Sequence, residues 1–235
     1  MAPLYCIIKK FNMIWRRTQM DTRSISTAYN LVAEEYAQKF LDELERKNMD
    51  KVVLDWFATQ IPNNEVVLEI GTGPGEVSGY LDNLGIKCIG TDISPVMIEN
   101  AKRNFPYIMF EVQDFFDITY PENTFYGVVG FYAIVNYHPD DLLPIFKNIK
   151  RVLKENGLFL FTFHVFEGER KTYVEKFLEK EGSKLTFYYY EVDEIKNIVE
   201  NLGFEIVDII IRYPYEGFEF PSKRSYFILR NSQSF

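Results

Sequence analysis

Apolar residues recur along this chain in short runs that alternate with amphipathic stretches. Runs such as EVVLEI (65–70) and LFLFTFH (158–164) have the length and composition of buried strands. Stretches such as 94–105 and 139–157 repeat their apolar residues every three or four positions, which is typical of helices. Ser94 followed by Pro95 is a helix-start signal. The pattern therefore predicts strands and helices in alternation.

The order of these segments predicts the fold class. Strands separated by helices form a mostly parallel sheet with helices on both faces, so we expect a doubly wound α/β fold with seven strands. The last two strands, 204–213 and 225–230, have no helix between them. We therefore expect a hairpin there and an antiparallel edge strand.

The domain organisation follows from the same pattern. We interpret residues 1–20 as a poorly tied N-terminal extension, open to disorder, with Met20 as an alternative start to Met1. Residues 21–235 read as a single domain. The stretch near 165–190 interrupts the alternation and is too long for an ordinary connection. We predict that it forms a lid or a wall of a pocket.

Composition and charge narrow the classes of partner. The formal charge of −8 disfavours nucleic acids, because an acidic protein repels phosphate backbones. Two cysteines without metal-ligand spacing indicate neither a metal site nor a disulfide framework, and they favour a cytoplasmic location. No apolar run has the length of a membrane helix, so we expect no membrane partner. The sequence gives no indication of the oligomeric state.

The glycine turn GTGPG (71–75) between a strand and a helix is the strongest candidate for chemistry. A P-loop would place Gly-Lys-Ser/Thr where this turn reaches Glu76, so that class is excluded. The dinucleotide fingerprint G-x-G-x-x-G matches imperfectly in either register, and a plain tight turn stays open as an alternative. Glu69 suits a cationic amino group, Asp92 suits ribose hydroxyls, and Asp114 suits an adenine amino group.

Five segments in this order resemble the class I S-adenosylmethionine (SAM)-dependent methyltransferases. They are VLEIGTGPGEVSGYL (67–81), IGTDISPVMIENAK (89–102), FEVQDFFDI (110–118), FYGVVGFYAIVNYHP (125–139) and IKRVLKENGLFLFTFH (149–164). The resemblance implies SAM as the cofactor. It also implies cofactor-binding roles for Tyr29, Tyr36, Glu69, Gly71, Gly73, Gly75, Asp92, Ile93, Asp114, Phe115 and Phe131.

The sequence indicates the residues that contact the methyl acceptor less clearly than those that bind the cofactor. His164 and His138 follow predicted strands at the edge where α/β sheets bind ligands, so they are candidates for catalysis. Tyr132, Tyr215 and Arg224 are candidates for substrate binding. An alternative for the last two is a structural role, since Glu219 and Arg224 could form a simple pair across the final hairpin.

The resemblance predicts transfer of a methyl group from SAM to a small-molecule acceptor by in-line displacement, with the acceptor atom unspecified. Two other functions stay open from the sequence. One is an NAD(P)-dependent oxidoreductase, although no Tyr-x-x-x-Lys pair suited to it is found. The other is a SAM-binding regulatory protein without catalysis, because these enzymes need no universal catalytic residue.

Overall fold

The computed structural model describes the backbone of residues 4–232 and the side chains of residues 22–232. The helices are α1 (Leu4–Phe40), α2 (Glu43–Arg46), α3 (Asn48–Gln60), α4 (Glu76–Asn83), α5 (Pro95–Asn104), α6 (Pro139–Val152) and α7 (Val192–Asn201). The strands are β1 (Val66–Ile70), β2 (Lys87–Asp92), β3 (Met109–Val112), β4 (Phe125–Phe131), β5 (Leu153–His164), β6 (Lys171–Val174), β7 (Leu185–Tyr188), β8 (Glu205–Arg212) and β9 (Arg224–Arg230). Two short 3₁₀ helices cover Phe115–Asp117 and Phe177–Glu179.

Seven of these strands form one sheet in the order β3-β2-β1-β4-β5-β9-β8. The first five are parallel, whereas β9 pairs antiparallel with both β5 and β8. The predicted α/β class, with seven strands and antiparallel pairing at one edge, is confirmed. The last strand of the chain inserts between β5 and β8, so that β8 forms the edge. The strand order reverses between β1 and β4, and parallel sheets bind ligands outside the carboxyl ends of strands at such a point.

Both faces of the sheet are buried, which explains the continuous apolar runs. Along β5, Phe159, Phe161 and Phe163 belong to the core on one face. Leu158 and Leu160 belong to the core on the opposite face. This division follows from the alternation of side chains along a strand, and it requires helices on each side of the sheet.

The helix α6 ends earlier than the sequence pattern predicts. The pattern continues to residue 157, but the helix stops at Val152 and β5 begins at Leu153. Asn231, just beyond β9, donates from its side chain to the carbonyls of Leu153 and Lys154, each at 3.1 Å. A residue distant in sequence therefore takes over the carbonyls that a longer helix would have used.

The stretch near 165–190 contains an antiparallel hairpin, β6–β7, which we call the hairpin insertion. Phe177 in this insertion contacts Tyr29 and Tyr36 of α1, with ring centroids 6.1 Å and 6.3 Å apart. Lys180 forms an ion pair with Glu35 of α1 at 2.6 Å. The insertion and the C-terminal half of α1 therefore pack against each other.

The predicted N-terminal extension stays a prediction. Residues 1–3 lie outside the described residues, and so do the side chains that α1 carries through residue 21. Within residues 4–232, no helix combines the length and the apolar character needed to cross a membrane.

The aromatic stack around Phe161 gives a test of the core. Phe161 is fully buried, with ring centroids 4.6 Å from Phe159 and 5.0 Å from Phe146. We expect Phe161→Ala to lower the free energy of unfolding by about 3–5 kcal/mol, because it removes buried area and leaves a cavity. Urea unfolding followed by circular dichroism measures this. Tyr107→Ala, at a side chain that is 97% exposed, should change it by less than about 0.5 kcal/mol. Equal effects of the two substitutions would contradict the described core.

Candidate functional site

The glycine turn between β1 and α4 uses backbone conformations that side chains disfavour. Gly71, Gly73 and Gly75 have φ angles of 64°, 52° and 93°. These values lie in the left-handed region, which glycine adopts without steric cost. Thr72 anchors the turn to β2, since its backbone N–H donates to the carbonyl of Thr91 at 2.9 Å. The turn is therefore fixed at the carboxyl end of β1.

A cavity with an empty volume of about 500 Å³, partly open to solvent, lies over this turn, and we call it the donor cavity. Its walls are Ile25, Tyr29, Tyr36, Gly71, Gly73, Asp92, Ile93, Met97, Phe115, Phe131, Tyr132, Ala133, Asn136 and Tyr137. They come from α1, the glycine turn, α5 and the ends of β2 and β4. Elements distant in sequence therefore meet at one edge of the sheet.

The donor cavity brings together most residues singled out from the sequence. Those on its walls are Tyr29, Tyr36, Gly71, Gly73, Asp92, Ile93, Phe115, Phe131 and Tyr132. Those that do not line it are Glu69, Gly75, Asp114, His138, His164, Tyr215 and Arg224. Sequence reasoning missed five further wall residues, which are Ile25, Met97, Ala133, Asn136 and Tyr137. A signal existed for four of them, because Met97 belongs to the segment 89–102 and the other three to the segment 125–139, and both segments follow the family pattern.

Asp92 ends β2 and links three parts of the site. Its carboxylate accepts hydrogen bonds from the backbone N–H of Gly73 at 3.0 Å and of Ser94 at 2.8 Å. Burial raises the pKa of Asp92 to about 6, although these N–H donors oppose the shift. A buried acceptor of this kind suits a ligand with hydroxyl donors.

Glu69 lies behind the glycine turn. One of its carboxylate oxygens, Oε2, accepts from Thr72 Oγ1 at 2.7 Å and from the backbone N–H of Ser78 at 2.9 Å. The hydroxyl of Ser78 donates to the same oxygen. Burial raises the pKa of Glu69 to about 7. In this structure Glu69 ties the turn to the first turns of α4.

Asp114 starts the 3₁₀ helix after β3 and accepts from the backbone N–H of Phe116 at 3.0 Å. Burial raises its pKa, and this hydrogen bond opposes the shift. Phe115, the next residue, is buried and lines the donor cavity. Asp114 therefore adjoins the cavity without forming its wall.

Two tyrosines of α1 close the donor cavity. The hydroxyl of Tyr29 donates to Asn136 Oδ1 at 2.7 Å, and Asn136 Nδ2 donates to the carbonyl of Thr186 in β7 at 2.9 Å. Tyr36 packs edge-on against Tyr29, with ring centroids 6.0 Å apart. A hydrogen-bonded chain thus joins α1, the segment after β4 and the hairpin insertion over the cavity.

Comparison with known proteins agrees with this geometry. Residues 67–157 match the profile of a methyltransferase domain family. An uncharacterized protein of Methanocaldococcus jannaschii is 25% identical over 73% of this chain and 71% of its own length. An uncharacterized methyltransferase of Alkaliphilus oremlandii is 27% identical over 63% of this chain and 71% of its own length. The magnesium protoporphyrin IX methyltransferase of Synechocystis, solved with bound SAM, superposes with a TM-score of 0.68 at 15% identity, over 90% of this chain and 97% of that one.

This similarity supports a class I SAM-dependent methyltransferase. Its cofactor is SAM. A Cβ atom added at Gly71 would lie 2.8 Å from the Cβ of Ala133, so there is no room for a side chain at this position. One at Gly73 would lie 3.7 Å from the Tyr36 ring. The turn, the Asp92 carboxylate and the aromatic walls therefore offer surfaces suited to a nucleoside with a charged tail.

Tyr132 stands at the end of β4 in a strained backbone conformation. Its φ of 56° is unusual for a residue with a side chain, and such residues cluster at functional sites. His164 stacks on its ring, with centroids 5.2 Å apart, and Lys47 Nζ lies 4.8 Å from the ring centroid. The hydroxyl of Tyr132 is buried without a hydrogen-bond partner among the described residues. Burial raises the pKa of Tyr132, so the phenol stays neutral.

The two histidines of the methyltransferase have different surroundings. His164 lies behind Tyr132, and its Nδ1 is 2.8 Å from Ser222 Oγ. Burial, followed by the positive charge of Arg224, lowers the pKa of His164 to about 3. His138 caps α6, accepting from the backbone N–H of Asp140 at 3.2 Å. Neither imidazole is on a wall of the donor cavity.

Arg224 belongs to a group of charged side chains beside β8 and β9, and Tyr215 lies next to this group. This edge ion cluster consists of Lys47, Asp50, Arg212, Glu219 and Arg224. Arg212 binds both oxygens of Glu219, at 2.6 Å and 2.8 Å. The backbone N–H of Tyr215 donates to Glu219 at 2.7 Å, and its hydroxyl accepts from the backbone N–H of Met49 at 2.9 Å. The cluster ties the final hairpin to the start of α3.

The buried position of Glu69 predicts a pH dependence of stability. Its pKa rises from an ordinary 4.5 to about 7 on folding, so the folded protein holds a proton that the unfolded chain releases. The free energy of unfolding should therefore fall as pH rises from 4.5 to 7, by up to about 1.4 kcal/mol per pH unit from this group. Glu69→Gln should flatten that slope in urea unfolding at pH 5, 6 and 7. The same change at the exposed Glu122 should leave it unaltered. A variant slope equal to that of the unaltered protein would refute the prediction.

Proposed function

We propose that the methyltransferase transfers the methyl group of SAM to a small-molecule acceptor by in-line displacement. The observation that carries this proposal is the donor cavity, which extends from the Asp92 carboxylate over the glycine turn to Tyr132. One wall of the cavity carries groups suited to a nucleoside. The other end reaches the strained segment after β4, at the ligand-binding edge of the sheet.

The nucleoside half of SAM would be held by residues at the ends of β2 and β3. Asp92 would accept hydrogen bonds from the ribose hydroxyls, and its own bonds to Gly73 and Ser94 fix its orientation. Ile93 and Phe115 line the cavity and would pack against the adenine. Asp114, which is next to Phe115, would accept a hydrogen bond from the adenine amino group.

Methyl transfer from SAM depends more on the position of the acceptor and on the exclusion of water than on proton transfer. When bound, SAM supplies an electrophilic methyl group on a positively charged sulfur. Tyr29, Tyr36 and Phe131 form aromatic walls that limit the access of water to the cavity. The hairpin insertion covers the two tyrosines through Phe177, so we assign it the role of a lid. The protein thereby holds the acceptor in line and keeps competing water away.

His164 would act on Tyr132 rather than on the acceptor. An imidazole whose pKa is lowered to about 3 is neutral at physiological pH and is a weak base. Its ring stacks on Tyr132 and its Nδ1 meets Ser222. We therefore propose His164 as a positioning residue and Tyr132 as the residue that contacts the acceptor.

A small acceptor fits the charge and the walls of the site. The chain carries a formal charge of −8, which disfavours nucleic acid substrates. The cavity is bordered by α1 and the hairpin insertion, which restrict the size of what can enter. The Synechocystis enzyme with a similar fold is named for the methylation of magnesium protoporphyrin IX, and this acceptor is a small molecule.

Replacing Asp92 tests the donor site. We expect Asp92→Asn to weaken binding of S-adenosylhomocysteine by about tenfold or more, because the amide is a weaker acceptor for ribose hydroxyls. Isothermal titration calorimetry measures the affinity, and circular dichroism confirms folding. Asp117→Asn, at an exposed position near the cavity, is the matched control and should bind normally. NAD binding by the unaltered protein, without binding of S-adenosylhomocysteine, would favour an oxidoreductase instead.

Replacing Tyr132 tests the acceptor end. A radiolabelled-methyl turnover screen over phenols, amines, thiols and quinones would first identify an acceptor. Tyr132→Phe keeps the ring between Lys47 and His164 and removes only the hydroxyl. We expect kcat/KM for that acceptor to fall by about tenfold or more, with unchanged affinity for S-adenosylhomocysteine. Unchanged turnover would show that the hydroxyl does not contact the acceptor.

A further inference from the structure

A second cavity lies beside the donor cavity, and we call it the side cavity. It has an empty volume of about 640 Å³ and is partly open to solvent. Its walls come from α1, the 3₁₀ helix after β3, the segment from β4 into α6 and the hairpin insertion. Ile25, Asn136 and Tyr137 line both cavities, so the two lie against each other. Asp92 and Phe115, assigned above to the nucleoside, line only the donor cavity, so SAM does not account for the side cavity.

Asn136 lies at the junction of the two cavities in a fixed orientation. Its side-chain amide accepts from the hydroxyl of Tyr29 at 2.7 Å and donates to the carbonyl of Thr186 at 2.9 Å. An amide group has two N–H donors and two acceptor positions. These two hydrogen bonds use one of each, which leaves the other N–H and the other acceptor position for a ligand. A ligand that extends from one cavity into the other would pass this amide.

Aromatic side chains line the side cavity from two parts of the fold. Phe116 and Tyr137 belong to the core of the domain, and their ring centroids are 5.7 Å apart. Tyr173 and Tyr188 belong to the hairpin insertion. Tyr188 packs edge-on against His138, another wall residue, with centroids 5.5 Å apart. These walls favour a flat aromatic ligand, because a pair of rings is stabilised beyond the burial of its area.

The charges on the walls favour a neutral ligand. Lys184 is the one lysine or arginine that lines the side cavity, and its ammonium group is paired with Glu175 at 2.8 Å. Asp141, on the same walls, is an acid that is only 7% exposed. An anionic ligand would therefore lie close to a buried carboxyl group, with the only nearby lysine already paired.

Neutral hydrogen-bonding groups complete the side cavity. The Nδ1 atom of His138 accepts from the backbone N–H of Asp140 at 3.2 Å. In the neutral imidazole the hydrogen is then on Nε2, which can donate to a ligand. Thr186 also lines the cavity, and a threonine hydroxyl can donate or accept. Together with Asn136, these groups suit hydroxyl or carbonyl substituents on an aromatic ring.

We propose that the side cavity binds the body of the methyl acceptor, and that the acceptor is a neutral, flat aromatic compound with hydroxyl or carbonyl groups. This inference rests on the proposed function, because the methyl group must come from SAM in the donor cavity. The nucleophilic atom of the acceptor would extend past Asn136 into the donor cavity, where Tyr132 is also a wall residue.

The transfer balances without a further reactant. A lone pair of the acceptor atom forms the new bond to the methyl carbon. The bond between that carbon and the sulfur breaks, and its electron pair stays on the sulfur of S-adenosylhomocysteine. A proton carried by the acceptor atom is released to water.

Binding of 1-naphthol tests the aromatic class directly. The protein is first saturated with S-adenosylhomocysteine, so that the donor cavity is filled. We expect saturation-transfer NMR to detect bound 1-naphthol. Decahydro-1-naphthol, its saturated counterpart, should bind at least about threefold more weakly, because it lacks the ring that the aromatic walls favour. Equal binding of the two compounds would contradict the aromatic class, and binding of neither would overturn the proposal.

The decisive variant is Phe116→Leu, which keeps an apolar side chain and removes the ring. Phe116 lines the side cavity and does not line the donor cavity. We expect the affinity for 1-naphthol to fall by about threefold or more, while the affinity for S-adenosylhomocysteine stays within about twofold. Affinity for the saturated alcohol should not fall. The matched control is Phe218→Leu, at a side chain that is 37% exposed and lines neither cavity, and it should leave all three affinities unaltered.

A second variant obstructs the side cavity from its rim. Ser24 is exposed on α1 and lines the side cavity only, so Ser24→Trp is expected to fold even if Phe116→Leu does not. For an acceptor identified by the turnover screen, it should raise KM by about fivefold or more and leave KM for SAM within about twofold. Gln38→Trp, at an exposed position of the same helix that lines neither cavity, should change neither value.

The results separate this proposal from the proposed function. Failure of S-adenosylhomocysteine to bind the unaltered protein would contradict the donor site, and it would be seen before any other measurement. If S-adenosylhomocysteine binds but displaces 1-naphthol, the probe lies in the donor cavity and the proposal is wrong. Unchanged binding of 1-naphthol in both Phe116→Leu and Ser24→Trp would likewise show that the side cavity does not hold the aromatic ring.

Discussion

The glycine turn at the end of β1 must be free of side chains, and the rest of the site depends on this constraint. Gly71, Gly73 and Gly75 all require positive φ angles, and at Gly71 a side chain would collide with Ala133. This geometry directs the N–H of Gly73 to Asp92 and starts α4 directly after the turn. A donor cavity can form there only because main chain, and not side chains, makes its floor.

Buried acids surround that turn, and each has a different environment. Asp92 accepts backbone N–H groups at the cavity wall, and Oε2 of Glu69 accepts from Thr72 and Ser78 behind the turn. Oε2 of Glu76, at the far end of the turn, is buried and has no hydrogen-bond partner among the described residues. Burial raises the pKa of all three carboxyl groups.

A second polar region lies beside Tyr132. The edge ion cluster joins α3 to the final hairpin, and Lys47 extends from it to the ring of Tyr132. His164, whose ring stacks on Tyr132, lies 2.8 Å through Nδ1 from Ser222 Oγ of the same hairpin. Tyr132 thus contacts groups from distant parts of the chain. These ion pairs and ring contacts explain why the C-terminal segment carries charged residues and shows no regular repeat of apolar ones.

The sequence by itself determined the sheet class, the glycine turn and the donor ligand, because these depend on local periodicity and on short spacings within residues 67–118. It could not decide how side chains meet across elements. Only the tertiary structure ended α6 at Val152, since Asn231 captures the carbonyls beyond it. Only the tertiary structure showed that Glu69 ties the turn to α4, because the folded chain brings Thr72 and Ser78 to its Oε2. It likewise placed His164 behind Tyr132, where burial removes the basicity that its position at a strand end had suggested.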